Sequence, residues 1–332
     1  MKGKKQALSR LMYVSGLWVF LNYLSRGNLA VFNYHRIRPD SLEFRTAFDD
    51  AVFGPNRSEF KRQLIWLKRN THLVTEAELL EVLYEGKAMP RNAVLITFDD
   101  GYRDNFDLAF PLLKELNIPA IFFIPTLLID ERQLGWWDTI AYLVKKSKKS
   151  SIRFRGRNFD IESHPREAIR FFQEIMKSEK AGSTECMLEE LSQVCEVEMP
   201  GIEEINSELM TWDNLRELAS HGMALGTHTH SHRVLSTLEP NEQKEEMIKS
   251  KRILEETIGK KVNSIAYPVG NYAHIDLHTH KVAKECGFRL GFSFNTGINR
   301  WEKITPLDIR RTSAPNTLHR LVATYFFPKI FT

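Results

Sequence analysis

The stretch Val94-Leu95-Ile96-Thr97-Phe98-Asp99-Asp100-Gly101 constrains the fold of this chain more than any other. Three aliphatic residues in a row mark a strand buried on both faces, as in a covered parallel sheet. The strand ends in two adjacent carboxylates and a glycine. Unpaired buried carboxylates are costly, so two of them at the tip of such a strand call for a partner. Gly101 lets the chain turn sharply, so that neighbouring side chains share one cleft. An ordinary strand end with an Asp-Gly turn gives the same pattern. The decision therefore rests on what else converges there.

Strand and helix patterns alternate along most of the chain. Strands are expected at Leu29–Tyr34, around Val94, and at Ala120–Ile124, Met223–Thr227, Ser264–Tyr267, Leu290–Phe294 and Ile309–Thr312. Between them, Ser58 caps a helix running to about Arg69, and Thr75 opens one that Gly86 closes. Another spans Asn105 to Glu115, with Pro111 as a kink. Thr211 caps a helix to His221, and Gly259 stops a long one begun at Pro240. A further helix reaches Cys286, and the last starts near Asn316. About seven βα units predict an α/β fold with a parallel sheet, open or closed into a barrel. The rhythm breaks from Trp136 to about Met210. There a hairpin is expected around Gly156-Arg157-Asn158, followed by helical patterns at Pro165–Lys180 and Thr184–Val194. This segment reads as an insertion at about 136–210, too small and too charged to bury much of a core.

A length of 332 residues suits a single α/β barrel. The net charge of +4 is too mild and dispersed for nucleic-acid binding. Cys186, Cys195 and Cys286 form neither a disulfide framework nor a metal-ligand pattern, and favour a reducing compartment. Residues 1–28 stand apart from the barrel at 29–332. Lys2, Lys4, Lys5 and Arg10 precede an uncharged run, Leu11 to Leu24. That run is shorter than the roughly 20 residues of a membrane span. It has the length of a signal-peptide core, but no small-x-small cleavage site follows. A helix packed on the domain or lying on a membrane surface fits as well. The chain is expected to be cytoplasmic or membrane-peripheral, with export on an uncleaved N-terminal anchor as the alternative.

In βα barrels, chemistry sits at the C-terminal ends of the strands. His35 ends the first strand, Asp99 and Asp100 the second, and His228 the fourth. Gly226-Thr227-His228-Thr229-His230-Ser231-His232 holds three histidines at alternate positions. On a strand all three share one face. In a turn or helix start, His228 and His232, four apart, converge on one ion. Imidazoles suit zinc-like metals, and one carboxylate completes a triad. A second cluster, His274, Asp276, His278 and His280, follows no apolar strand and reads as solvated surface. Tyr267-Pro268-Val269-Gly270-Asn271-Tyr272 suits either a sugar-stacking rim, through Tyr267 and Pro268, or a tight turn with the tyrosine in the core. Trp136 and Trp137 read as core of the insertion.

Thr97-Phe98-Asp99-Asp100-Gly101 and His228-Thr229-x-x-His232 resemble the first two motifs of the polysaccharide deacetylases, the NodB-homology domain or carbohydrate esterase family 4. Phe122-Phe123, Trp212 and Ala266-Tyr267-Pro268-x-Gly270 also match how such chains commonly read. The resemblance implies a deformed (β/α)7 barrel, a divalent metal that is usually zinc, and hydrolysis of acetyl groups from acetylated glycans. By motif match it implies Asp99 as general base and Asp100, His228 and His232 as metal ligands. Two features depart from the family. Ala266 stands where many members carry an arginine that holds the base, with Arg310 or Arg311 as possible substitutes. The Leu-x-His motif that usually ends the domain is also missing. Phe32-Asn33-Tyr34-His35 resembles members with a permuted motif order that act on poly-N-acetylglucosamine.

The expected activity is removal of acetyl groups from N-acetylated sugars of a glycan or glycan precursor. Rival readings are an O-acetyl esterase, a deacetylase or deformylase of a lipid-linked sugar, and a sugar-binding barrel that lost catalysis. A departing amine must be protonated, which needs an acid on the side of the metal opposite Asp99. Among histidines outside the metal set, His35 alone ends an apolar strand, and the permuted members place their acid there.

Overall fold

The computed structural model describes residues 2–24, 27–41, 43–178 and 184–331. Ten strand segments form the main sheet among the described residues, with two short ones, His72–Leu73 and Asn299–Arg300, at its margins. The other eight build the barrel wall: β1 (Asn28–Tyr34), β2 (Ala93–Phe98), β3 (Ile121–Ile124), β4 (Ala224–Thr227), β5 (Ser264–Ala266), β6 (Leu290–Ser293), β7 (Ile309–Arg310) and β8 (Thr312–Ser313). β1 to β7 follow one another in parallel pairs, and β8 returns to pair in parallel with β1. β7 and β8 are two halves of one strand, interrupted at Arg311. The result is the expected α/β architecture, a deformed (β/α)7 barrel that is nearly closed.

Strand alternation explains both apolar layers. Leu29, Val31, Leu95, Ile121, Phe123, Phe292 and Ile309 form one cluster, inside the barrel. Leu79 and Leu80 of helix Glu76–Tyr84 join it. Phe32, Tyr34, Val94, Ile96, Phe98 and Phe122 belong to a second cluster, packed under the surrounding helices. The inward columns run Leu29-Val31-Asn33 and Leu95-Thr97-Asp99, apolar below and polar at the top. β1 and β2 pair without slip from Leu29↔Ala93 to Tyr34↔Phe98. His35 and Asp99 therefore leave the sheet side by side.

Local chemistry shifts several expected boundaries. The helix expected from Ser58 begins at Arg57, because Asn56 is the cap that accepts from the Glu59 amide, at 2.9 Å; Ser58 bonds Asp40 instead. The Pro111 kink is a π-helical turn, Asn105–Ala109, ahead of helix Phe110–Leu116, which takes the proline in its first turn where its missing N–H costs nothing. The hairpin Ser151–Phe154/Arg157–Asp160 turns at Arg155 and Gly156, both at positive φ, one residue earlier than expected. Helix Pro165–Ser178 ends before residues 179–180, which lie outside the described residues.

The insertion buries more than its charge suggests. Ile140, Leu143, Phe154, Phe172 and Leu191 are continuous with the layer outside the barrel. The amphipathic spacing of helices Trp136–Lys146 and Pro165–Ser178 gathers enough apolar surface despite the many lysines and glutamates. Helices α1 (Lys2–Val14) and α2 (Leu17–Leu24) pack near the C-terminus, where Met12 meets Ala323 and Phe331. Among the described residues, no helix is long and apolar enough to cross a membrane.

Candidate active site

The carboxylates at the tip of β2 part company at Asp100. Asp99 continues the inward column, whereas Asp100 adopts φ 74° and turns toward the histidine loop after β4. That loop is a turn, not a strand. Thr229 and His232 sit at φ 62° and 57°, so His228 and His232 converge while His230 points away. The Nε2 atoms of His228 and His232 lie 3.5 and 3.4 Å from Asp100 Oδ1. All three residues are buried, and their ligand atoms lie within 4.8 Å of one another.

These spacings test whether a metal fits. They are too long for good hydrogen bonds. Asp100 Oδ1 is buried without a hydrogen-bond partner. The His228 Nδ1 faces the Ala266 carbonyl at 2.8 Å; a carbonyl only accepts, so Nδ1 carries the proton and Nε2 keeps its lone pair. Burial pushes the His228 imidazole down to about 4, against the pull of Asp99 and Asp100, so it is neutral at pH 7. Two ligands about 2.1 Å from a tetrahedral ion sit roughly 3.4 Å apart. The donor set therefore fits a divalent metal ion.

Asp99 is held differently. Arg311 Nη1 donates to its Oδ1 at 2.6 Å, and Asn33 Nδ2 donates to its Oδ2 at 2.9 Å. Asn33 Oδ1 in turn accepts from Arg311 Nη1 at 2.9 Å and Thr97 Oγ1 at 2.6 Å. Arg311 is 1% exposed. Burial works to raise the Asp99 carboxyl, but the Arg311 guanidinium, with His228 and His35, outweighs it and holds the group well below the usual carboxylate range. Asp99 Oδ2 lies 3.8 Å from His228 Nε2 and 4.0 Å from His35 Nε2. His35 is one-quarter exposed, edge-on to Phe294, and its carbonyl accepts from Asn105 Nδ2 at 2.7 Å.

The expected site residues thus fall into three groups. Asp100, His228 and His232 come together as a triad that could hold an ion, and Asp99 stands beside them. His35 joins them too, but next to Asp99 and not across from it, because β1 and β2 are paired in register. Tyr267 and Pro268 are both buried, so neither presents an exposed face. Tyr267 is fully buried and its hydroxyl donates to the Leu307 carbonyl at 2.9 Å, so its ring is not free to stack on a sugar. Pro268 is buried as well. What the segment offers is backbone: Val269 adopts φ 59°, a strained conformation for a β-branched residue. The second histidine cluster stays outside the site; Asp276 caps helix Leu277–Glu285.

Several participants escaped sequence reasoning. Asn33 had a signal, as a lone amide in an apolar strand. Arg311 was one of two candidates, and the break between β7 and β8 turns it inward. Glu246, buried on helix Pro240–Ile258, accepts from the His230 and Ser231 amides at 2.9 and 2.8 Å and from Ser231 Oγ at 2.5 Å. It pins the histidine loop from behind, and nothing in the sequence marks it among its neighbouring glutamates. Trp137 packs its ring 4.3 Å from that of His232.

Residues 86–291 match the polysaccharide deacetylase family. Over 242 residues the chain is 23% identical to YxkH of Bacillus subtilis (strain 168), covering 73% of this chain and 59% of that protein. Over 151 residues it is 30% identical to the poly-beta-1,6-N-acetyl-D-glucosamine N-deacetylase of Staphylococcus aureus (strain MSSA476), covering 43% of this chain and 50% of the relative. The chain thus spans between half and three-fifths of the length of these curated relatives. Its fold is similar to that of the Streptococcus pyogenes deacetylase PplD in complex with acetate (TM-score 0.60, 19% identity, 91% of this chain and 99% of that chain). It is also similar to IcaB from Ammonifex degensii (TM-score 0.58, 21% identity, 91% and 98%). With a family match across most of the barrel and a buried Asp/His/His triad beside a clamped aspartate, the chain belongs to the polysaccharide deacetylase family.

Proposed function

We propose that the chain is a metal-dependent hydrolase that removes acetyl groups from N-acetylated sugars of a glycan. The observation that carries this reading is the pair of adjacent aspartates with opposite fates. Asp100 faces the Nε2 atoms of two imidazoles, while Asp99 is clamped by Arg311 and Asn33.

Asp100, His228 and His232 would hold the ion, zinc by the preference of this donor set. A divalent ion bound there supplies Lewis acidity toward the acetyl carbonyl and the attacking water. Arg311 and Asn33 each occupy one Asp99 oxygen, fixing the carboxylate plane and keeping it ionised. Asp99 Oδ2, bonded to Asn33 on one side, faces His35 and His228 on the other, and takes the proton as water adds to the carbonyl. Breaking the carbon–nitrogen bond then requires a proton on the nitrogen. His35, the partly exposed imidazole beside Asp99, delivers it, and the products are acetate and the free amine. An acid beside the base suits this sequence, since one group gains a proton as its neighbour gives one up.

His35 after an apolar strand and the S. aureus relative both support the permuted, poly-N-acetylglucosamine-directed subgroup. Beside His232, a cavity of about 470 Å³ is lined by Trp136, Trp137 and Leu188 of the insertion together with His230. It supports a role for the insertion in substrate choice. The test is acetate release from matched N-acetylated and O-acetylated oligosaccharides, with and without a chelator, and with Asp99→Asn as control. Chelator-sensitive release from the N-acetylated set, lost in Asp99→Asn with metal retained, supports the reading. Release from O-acetyl substrates alone, or none at all in metal-loaded protein, removes it.

A further inference from the structure

Charge is segregated along this chain. The first 39 residues hold seven Lys or Arg and no Asp or Glu, so the remainder of a chain with net charge +4 is net negative. The same end carries an apolar surface. Seven of the fifteen exposed large apolar side chains among the described residues lie on α1 and α2, between 50% and 83% exposed. Leu8, Leu11 and Val14 repeat every three residues along one side of α1, and Leu17, Phe20 and Tyr23 do the same on α2. The opposite sides are spent on the fold: Met12 packs on Ala323, and Trp18 sets its ring edge-on to Trp66 at 5.3 Å. An outward apolar stripe on helices that already have an inner face marks a contact with something outside the chain.

The charges indicate what. Lys4, Lys5 and Arg10 flank the stripe on α1. Beyond α2, Gly27 accepts from the Trp301 amide at 2.8 Å, which brings the following segment alongside. There a groove of about 570 Å³ is lined by Arg300, Lys303, Arg310 and Lys329, with Asp308 as the acidic member. Exposed Phe327 and Ile330 border the same groove. Apolar helices bounded by cations complement a bilayer surface rich in anionic phospholipid.

We propose that α1 and α2 dock the protein on an anionic phospholipid bilayer, lying in the interface without crossing it. The position of the helices then fixes the orientation. Asn22 Nδ2 donates to the Asn70 carbonyl, and Arg91, two residues before β2, donates to the Tyr23 carbonyl. Both contacts lie at the N-terminal ends of the strands, whereas the catalytic groups sit at the C-terminal ends. Six residues of β2 separate the two levels, about 20 Å. The docked protein holds its catalytic mouth away from the lipid, toward a polymer above the surface and not toward a sugar attached to that same bilayer.

Sedimentation of the 332-residue chain with vesicles tests this, using equal parts phosphatidylglycerol and phosphatidylcholine against phosphatidylcholine alone. The expected result is salt-sensitive binding to the anionic vesicles, at least about tenfold weaker on the neutral ones. Leu11→Ser with Phe20→Ser, and separately Lys4→Glu with Arg10→Glu, should each weaken it about tenfold or more. All four side chains are exposed, so folding and any turnover of soluble oligosaccharide should stay unchanged. Equal binding to both vesicle types overturns the proposal, as does none to either. So does a dimer in sedimentation velocity that the Leu11→Ser, Phe20→Ser variant dissolves, because the stripe would then join two copies. Binding is read without turnover, so a failure of the deacetylase assignment leaves this result intact.

Discussion

Arg311→Met removes the only cation that touches Asp99 within the hydrogen-bonded clamp described above. At an effective dielectric near 20, unit charges 2.6 Å apart interact by roughly 6 kcal/mol, which corresponds to four or five pKa units. Burial, the strongest influence on Asp99, pushes its carboxyl upward and is then no longer offset by Arg311. The sign follows directly. A general base works only when ionised, so activity falls as pH drops through its pKa. Arg311→Met raises that pKa, and the acidic limb of the pH–rate profile should move upward by several units. Turnover at pH 7 should fall by about 10²–10⁴ and partly recover in alkaline buffer. Arg311→Lys keeps the charge but loses the planar fork, and should lie between. The assay is kcat/KM against pH on a soluble acetylated oligosaccharide, with metal content and thermal midpoint measured on each variant. A folded, metal-loaded Arg311→Met protein with an unmoved acidic limb would refute the electrostatic argument. An equal loss at every pH would make Arg311 a purely steric support.

Three further outcomes follow from the geometry. His228→Ala or Asp100→Asn should lose bound metal by elemental analysis, whereas Asp99→Asn should retain it; the reverse pattern would exchange the roles assigned to the two aspartates. His35→Ala should keep fold and metal and cut turnover by about 10²–10⁴, measured on a soluble acetylated oligosaccharide; near-normal turnover would place the acid elsewhere. Asp138 is fully buried, accepting from Tyr102 Oη and the Asp49 amide, and burial, partly offset by Arg36, pushes its carboxyl up to about 7. Between about pH 4 and 7 the folded state keeps a proton that the unfolded chain releases, so this group lowers stability as pH rises, by up to about 4 kcal/mol. The urea midpoint of Asp138→Asn should therefore gain on wild type from pH 5 to pH 8, and a constant gap would show that Asp138 is ionised throughout.

The sequence made the frame of the site legible because strand ends are local events. Apolar runs stop at Tyr34, Phe98 and Thr227, and the reactive residues follow them. The support of the site was hidden because it depends on register and strand breaks. Arg310 and Arg311 are equivalent in sequence. Only the interruption between β7 and β8 aims Arg311 at Asp99, while the Arg310 amide bonds Asn299. Tyr267 carries an ambiguous signal, since an aromatic after a strand fits rim and core alike; the nearby Leu307 carbonyl decides it. The left-handed conformations of Thr229, His232 and Val269 were unreadable for a further reason. Local preference disfavours them, and each costs of order 1–3 kcal/mol that the packed surroundings must offset.

The closure of the barrel by its last strand also orders events in time. The metal triad and the carbonyl that orients His228 lie between residues 100 and 266. The clamp on Asp99 instead joins Asn33 to Arg311 across 278 positions of chain. During synthesis Arg311, which keeps Asp99 ionised, is therefore made after every residue of the triad. The clamp on Asp99 is therefore complete only once the two ends of the barrel meet.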